Sequence, residues 1–348
     1  MTMVVARCTS HLLATAAFLL VMVQSASAQL PATRLDGIFP AGGSPGATVE
    51  ATITGADLDD VDKLHFSHPG ITAERTMAEP GPFDEGPQPV PNAFVLTIKP
   101  DVPPGLYSVR TQGKYGISNP RTFEVGAMPE SLEEEPNNTP GDAAPIAGPL
   151  LINGQINGAA DVDCYLLDVK AGERLLVACR AQEIDSLLDA VVTVTDTAGK
   201  VLAEGQAGPH GEAMIHLTAE ADTQWRIRVT DSLYRGGPQY VYRLSVGAMP
   251  HIDYIFPPAG VVGANGNFTL YGNNLPGGQP AGIDLDGRPL EKLAVQIAVP
   301  GDVANRPLTG VRLSPEQAEL DFVPYSATGP AGVSDPILVS AATAQVIL

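Results

Sequence analysis

The sequence predicts an all-β protein: three β-sandwich domains in series behind a signal peptide. Three observations predict it. Short runs alternate apolar and polar residues with period two along most of the chain, which is the spacing of a half-buried strand. Glycine (36) and proline (32) are frequent enough to punctuate many turns, while aromatics make up only 5%. A block of residues also recurs at a constant offset of 217 positions, and such periodicity marks a repeated domain.

Residues 1–28 read as a processing signal. Arg7 and His11 open it, Leu12–Val23 is an apolar run, and Ala26-Ser27-Ala28 supplies small residues for cleavage before Gln29. The expected location is therefore secreted or cell-surface. The apolar run is short for a membrane span of roughly 20 residues, and no later stretch is apolar enough to form one. The formal charge is −19, and loss of Arg7 with the leader makes it −20 in the mature chain. That balance repels phosphate backbones and excludes nucleic acid as a partner.

The 217-residue offset sets the domain map. Ile38-Phe-Pro40 recurs as Ile255-Phe-Pro257. Asp36, Gly43, Gly46, Thr52, Gly55 and Leu58 meet Asp253, Gly260, Gly263, Thr269, Gly272 and Leu275. Gly116-Ile-Ser-Asn-Pro120 resembles Gly332-Val-Ser-Asp-Pro336 one residue out of register. A second repeat, Val125-Gly-Ala-Met-Pro129 and Val246-Gly-Ala-Met-Pro250, marks two short joints. The map is 1–28 signal peptide, 29–127 first sandwich, 128–250 a different sandwich, and 251–348 a divergent copy of the first. If the reading frame continues, the period predicts another domain of the middle type.

Within the copies, Thr48–Thr54 and Gly266–Tyr271 alternate, and Pro103–Arg110 reads as a turn leading into a strand. In the middle domain Asp163, Tyr165, Leu167 and Val169 share one face. Trp225 sits inside an alternating strand and reads as core. Two cysteines survive cleavage, Cys164 and Cys179, flanking Lys170-Ala-Gly-Glu173. If that tetrapeptide makes a hairpin, the two stand opposite each other and can bridge. A one-residue bulge would leave two unbonded thiols.

The chemistry-bearing feature is an acidic pattern in two halves. Glu133, Glu135, Asn137 and Asn138 lie in Ser131-Leu-Glu-Glu-Glu-Pro-Asn-Asn-Thr-Pro140, and Asp161 and Asp163 open a later strand. Six oxygen-bearing side chains in two groups suit a hard cation, and calcium takes six to eight oxygens with tolerant geometry. The alternative is a polar linker beside a strand edge. A cation there would pin the linker to the sandwich and fix the angle between two domains.

These residues also carry a resemblance. With Asp185-Ser-Leu-Leu-Asp189 and Arg226-Ile-Arg-Val-Thr-Asp231, the middle domain resembles the bacterial pre-peptidase C-terminal domain, in the form met in exported planctomycete-type proteins. The flanking copies resemble the Ig-like fold of transcription-factor immunoglobulin (IPT/TIG-like) domains. The resemblance implies calcium held by Glu133, Glu135, Asn137, Asn138, Asp161 and Asp163. Asn138 stands where that family has an aspartate, and the Asp161–Asp163 spacing is one residue shorter.

No catalytic constellation is legible. There is no His-Glu-x-x-His and no Gly-x-Ser-x-Gly. His65 and His68 have metal-like spacing without a third ligand. The expected function is an exported, non-catalytic binding or scaffold protein that takes an extracellular polymer or protein ligand. The alternative is an accessory targeting module of a secreted protease or polysaccharide-degrading system.

Overall fold

The computed structural model describes residues 31–348 except 209–211, 286, 306–309, 312, 314–316, 318–319 and 345–348. The segment expected to be a signal peptide, residues 1–28, lies outside the described residues. Contacts divide the chain after Ala32, and Thr33–Leu348 form one compact unit. The described elements of that unit are β-strands and two single-turn helices, Gln182–Ile184 and Val303–Asn305.

The alternating runs become six main sheets that face one another in pairs. The first pair takes the order Arg34–Phe39, Thr48–Ala56, Gln88–Ile98, Ile71–Ala78 and, facing it, Gly42–Gly43, Arg121–Val125, Gly105–Gly113, Val61–Phe66. Leu35, Ile53, Leu96, Val109 and Phe123 fill the gap between the two sheets. Tyr107 is buried there, and its hydroxyl donates to Pro103 O at 2.7 Å, fixing the turn that feeds its strand.

The middle pair is larger. One sheet orders Glu130–Leu132, Leu150–Gln155, Val241–Gly247, Arg174–Arg180 and Glu212–Thr218; the other orders Ala144–Ile146, Asp163–Val169, Thr223–Asp231, Ala190–Asp196 and Val201–Gln206. Trp225, Ile227, Leu188 and Val194 lie in its core. Each such side chain is worth about 1.5–3 kcal/mol when fully buried. The run Leu175-Leu-Val-Ala-Cys179 is apolar without alternation because both faces of its strand are covered. Leu175, Val177 and Cys179 face the core, while Leu176 and Ala178 face a second cluster.

The hairpin expected at Lys170–Glu173 is not formed. Asp163–Val169 and Arg174–Arg180 lie in different sheets, so the turn carries the chain across the sandwich. Each strand already has two other neighbours on its sheet. Cys164 and Cys179 are accordingly free and buried. Burial pushes both thiols up, Cys164 and more strongly Cys179. A chain starting at Gln29 should therefore leave a thiol reagent unconsumed when native, and denaturation without reductant should release its two thiols. Fewer than two would mean a bond.

The third pair orders His251–Phe256, Asn265–Asn273, Arg288–Ala298 and Gln279–Leu285 against Ala259–Val261, Ile337–Ala342 and Phe322–Tyr325. It reproduces several local features of the first pair, with three strands where the first has four along the order of the facing sheet. A bulge falls between Leu35 and Gly37 in one and between Ile252 and Tyr254 in the other. Phe39-Pro40 and Phe256-Pro257 are both cis, and Asp57 and Asn274 both have positive φ. Ser118 Oγ accepts from Thr111 N, and Ser334 Oγ accepts from Ala327 N, each at 2.9 Å. Gly55 and Gly272 are the tightest points. A Cβ on Gly55 would stand 2.0 Å from Arg34 O, and one on Gly272 would stand 1.9 Å from His251 O. Gly272→Ala should cost about 1–3 kcal/mol through forced backbone displacement. A urea midpoint equal to wild type would contradict that packing.

The two repeated joints meet. Met128 and Met249 pack together on Leu151, Leu176 and Ala178, on the outer face of the middle sheet. Gly332 of the third sandwich lies against both methionines. An ionic cluster lies beside them. Arg180 of the middle sandwich pairs with Glu124 of the first (2.5 Å) and Asp335 of the third (2.7 Å), and with Glu183 at 2.9 Å. Arg243 reaches Glu124 and Glu130, both at 2.8 Å. The outer sandwiches also touch directly, Leu106 N donating to Gly310 O at 3.0 Å.

Candidate metal centre

The two halves of the acidic pattern are joined by a crossing of the chain. Glu130–Leu132 pairs in parallel with Leu151–Asn153 on one sheet of the middle sandwich. Further along, Asn137 O accepts from Cys164 N of the other sheet at 2.9 Å. Residues 133–138 therefore bridge the end of the sandwich from sheet to sheet, and the acids lie on that bridge. The alternative reading of the run, a polar linker, does not describe this course of the chain. The strand Glu130–Leu132 ties the joint to the sandwich, and the methionine pair and Arg180 lie between the sandwiches. The cluster clasps two sheets of one sandwich.

Glu135, Asp161 and Asp163 each direct one oxygen to a common region, with these atoms all within 4.8 Å of one another. Asp163 is fully buried; its Oδ2 accepts from the Tyr242 hydroxyl at 2.6 Å, while its Oδ1 has no partner. Asp161 is held by Asn157 N (2.6 Å) and Val162 N (3.0 Å). Glu135 accepts from Asn137 N and from Asn157 Nδ2, both at 3.0 Å. Glu133 accepts from Gln155 N at 2.8 Å and from the Tyr242 hydroxyl at 3.2 Å. Asn138, with its amide nitrogen turned inward, donates to Asp161 Oδ1 at 2.8 Å; turned over, it offers an oxygen to the same place. Asn137 is fully buried, and its Nδ2 has no partner. The structure thus brings Glu135, Asp161, Asp163 and Asn138 together, sets Glu133 next to Asp163, and gives Asn137 a supporting position through its backbone.

The electrostatics leave a charge to be supplied. Tyr165 and Tyr242 hydroxyls lie 2.6 Å apart, and Tyr242 has one proton to share between Asp163 and Glu133. Burial first, then the Asp163 charge, pushes Glu133 up to about 9. Burial also pushes Asp163 up to about 7, with Asp161 and Glu135 adding to the effect. The groups acting most strongly on both include no lysine or arginine. Ionising the whole set in a buried place is costly without a compensating cation. A proton on Glu133 or a bound metal ion supplies it.

Tyr242, Tyr165 and Asn157 belong to the site without having been legible as site residues. Tyr242 falls at a core-facing position in the run Tyr240–Val246, where a buried hydroxyl must find a partner. That is its only sequence signal. Its ring lies over Gly154, where a Cβ would come within 2.2 Å of it.

No known family profile matches the sequence, and no curated protein matches it. Parts of the chain are similar to solved structures. The pre-peptidase C-terminal domain of collagenase from Bacillus anthracis is 20% identical, over 32% of this chain and 99% of that chain, with a TM-score of 0.27. PliG of Aeromonas hydrophila, a periplasmic inhibitor of g-type lysozyme, is 16% identical, over 34% and 97%, with a TM-score of 0.23. SGBP-B of a Bacteroides ovatus mixed-linkage glucan utilization locus, solved with a mixed-linkage heptasaccharide, is 12% identical, over 60% and 74%, with a TM-score of 0.21. No helix among the described residues is long and apolar enough to cross a membrane.

Proposed function

We propose that the chain is an exported, non-catalytic binding and scaffold protein whose middle sandwich is rigidified by calcium. Glu135, Asp161 and Asp163 would hold the ion, with Glu133 and Asn138 completing an oxygen shell and Asn137 holding the bridge in place. The observation that carries the reading is Asp163. A fully buried carboxylate with one oxygen unpartnered, aimed where two further carboxylates converge, is unstable as it stands and stable around a cation. All-oxygen ligation selects calcium or magnesium over the softer metals. Irregular spacing on a bridging segment favours calcium, because magnesium demands a near-octahedral set.

The role is mechanical. Residues 133–138 span two sheets, so an ion there resists their separation. The ionic junction at Arg180 then transmits that rigidity to both outer sandwiches. Ligands would be taken by sheet faces and end loops of the outer sandwiches, the surfaces a rigid scaffold leaves open. Calorimetric titration of the mature chain tests the metal half. Calcium should bind with heat and raise the melting temperature, and magnesium should do so less. Absence of both heat and shift at millimolar calcium would reject it.

A further inference from the structure

The outer face of the third sandwich carries exposed aromatic side chains that the first sandwich lacks at the matching positions. At the 217 offset, Tyr254 and Tyr271 replace Gly37 and Thr54. Each pair is directly cross-strand in its own copy. In the first copy Gly37 lies close under Pro238 O of the middle sandwich, and Phe39 packs with Ile184 and Val241. In the third copy the equivalent place is open among the described residues: Phe256 is 50% exposed and Tyr254 36%. The aromatics therefore stand on the copy whose face is open, and they serve no core there.

The geometry of that face is ordered. Tyr254 and Tyr271 stack with centroids 4.6 Å apart and planes 14° from parallel. The register sets Phe256, Thr269 and Ala294 in one row, and Tyr254, Tyr271 and Lys292 in the next. Asn267 lies opposite Gln296, whose amide donates to it at 3.2 Å. Beside the aromatic rows is a shallow hollow of about 270 Å³ lined by Asn267, Phe268, Thr269, Ala294, Val295 and Gln296. Lys292 is the one charge on these rows, in a chain of net charge −19.

We infer that this face binds a neutral polysaccharide. Rigid rings offer apolar area at little entropic cost, and side-chain amides and a hydroxyl offer both donors and acceptors. A sugar ring has the matching pair of surfaces, an apolar C–H face and a rim of hydroxyls. An anionic polymer would find a single lysine to pair with, and a basic protein surface would find no carboxylate on these rows. The inference rests on the reading of the chain as a binding protein and is independent of calcium.

Affinity electrophoresis of the full mature chain tests it. Native gels would contain hydroxyethylcellulose, galactomannan, xyloglucan or starch, with alginate as the anionic comparison. At least one neutral polymer should retard the chain, and alginate should not. Tyr254→Ala and Phe256→Ala should each weaken that retardation about tenfold, the size of a lost aromatic anchor. Gln296→Ala should weaken it while leaving the aromatic pair intact. Phe83→Ala, which removes a fully exposed ring of the first sandwich (99%), should leave it unchanged. Melting temperatures of the face variants should stay at wild type, since these side chains point outward. Retardation by no neutral polymer would overturn the inference. Retardation that survives all three face variants but is lost with a chelator would also overturn it, while leaving the binding reading in place at the metal centre.

Discussion

Replacing Arg180 by methionine should destabilise the protein by about 3–5 kcal/mol, the usual cost of removing one partner from a buried ion pair. The guanidinium side chain is 11% exposed and holds Glu124, Glu183 and Asp335 together, with Glu212 at 3.8 Å. Without it the largely buried carboxylates of Glu124 and Glu212 face the more exposed Glu183 and Asp335 with no guanidinium between them. Glu124 and Asp335 belong to different outer sandwiches, so the loss should also appear as a larger radius of gyration by small-angle scattering. Arg180→Lys keeps the charge but presents a point ammonium instead of a planar fork, so it should recover only part of the stability. Glu212 provides a second test of the same cluster. Burial pushes it up to about 8, against an ordinary glutamate value of 4.5. Between these values the native chain keeps a proton that the unfolded chain has released, so stability should fall as pH rises from about 4.5 to about 8. Glu212→Gln should remove that fall, being more stable than wild type above about pH 8 and indistinguishable below about pH 4.5. An Arg180→Met chain that melts with wild type, at unchanged radius, would mean that the methionine pair alone holds the junction.

Much of this fold is legible in the residues, and what is not has an identifiable cause. The offset of 217 carries more than composition, since the bulges and the positive φ at Asp57 and Asn274 recur with it, and the serine bonds of Ser118 and Ser334 recur one residue out of register. Those features are local, and local sequence encodes them. The turn at Lys170–Glu173 is different. Its residues specify a reversal, but whether the next strand pairs with the last depends on which strands compete for its edges. Here Val241–Gly247 and Glu212–Thr218 take both edges of Arg174–Arg180. The uninterrupted apolar run Leu175–Cys179 held a clue, since a strand beside one solvated face alternates. In the candidate site the carboxylates were readable because two clusters of hard oxygens are rare in one chain. Tyr242 and Arg180 were not, because a tyrosine and an arginine in strands look the same whether they face water or a neighbour.

Asp163→Asn should separate a metal ligand from a merely structural acid, because the two roles predict opposite signs. Without a divalent ion, Asp163 is a fully buried carboxylate among Glu133, Glu135 and Asp161; burial raises Asp163 and Glu133 alike, the charges of Asp161 and Glu135 add to the rise at Asp163, and the charge of Asp163 adds to the rise at Glu133. The amide removes that repulsion. Its oxygen can still accept from Tyr242, and its nitrogen takes the place of the unpartnered Oδ1 as a donor in a group of carboxylates. In chelator the variant should therefore melt at or above wild type. With calcium the order should reverse. An ion that binds only the native state stabilises by RT ln(1 + [Ca]/Kd), about 2.7 kcal/mol at roughly a hundredfold excess over Kd. Wild type should gain that amount, and the variant, short of a charged ligand at the buried end of the site, should gain little of it. Glu135→Gln should lose part of the calcium response with a smaller change in chelator, because Glu135 is exposed and its charge costs less when the site is empty. The two melting curves for Asp163→Asn and wild type would then exchange places on adding one ion. A variant less stable than wild type by the same margin in chelator and in calcium would show that Asp163 serves only Tyr242 and the core, and the metal reading would fall.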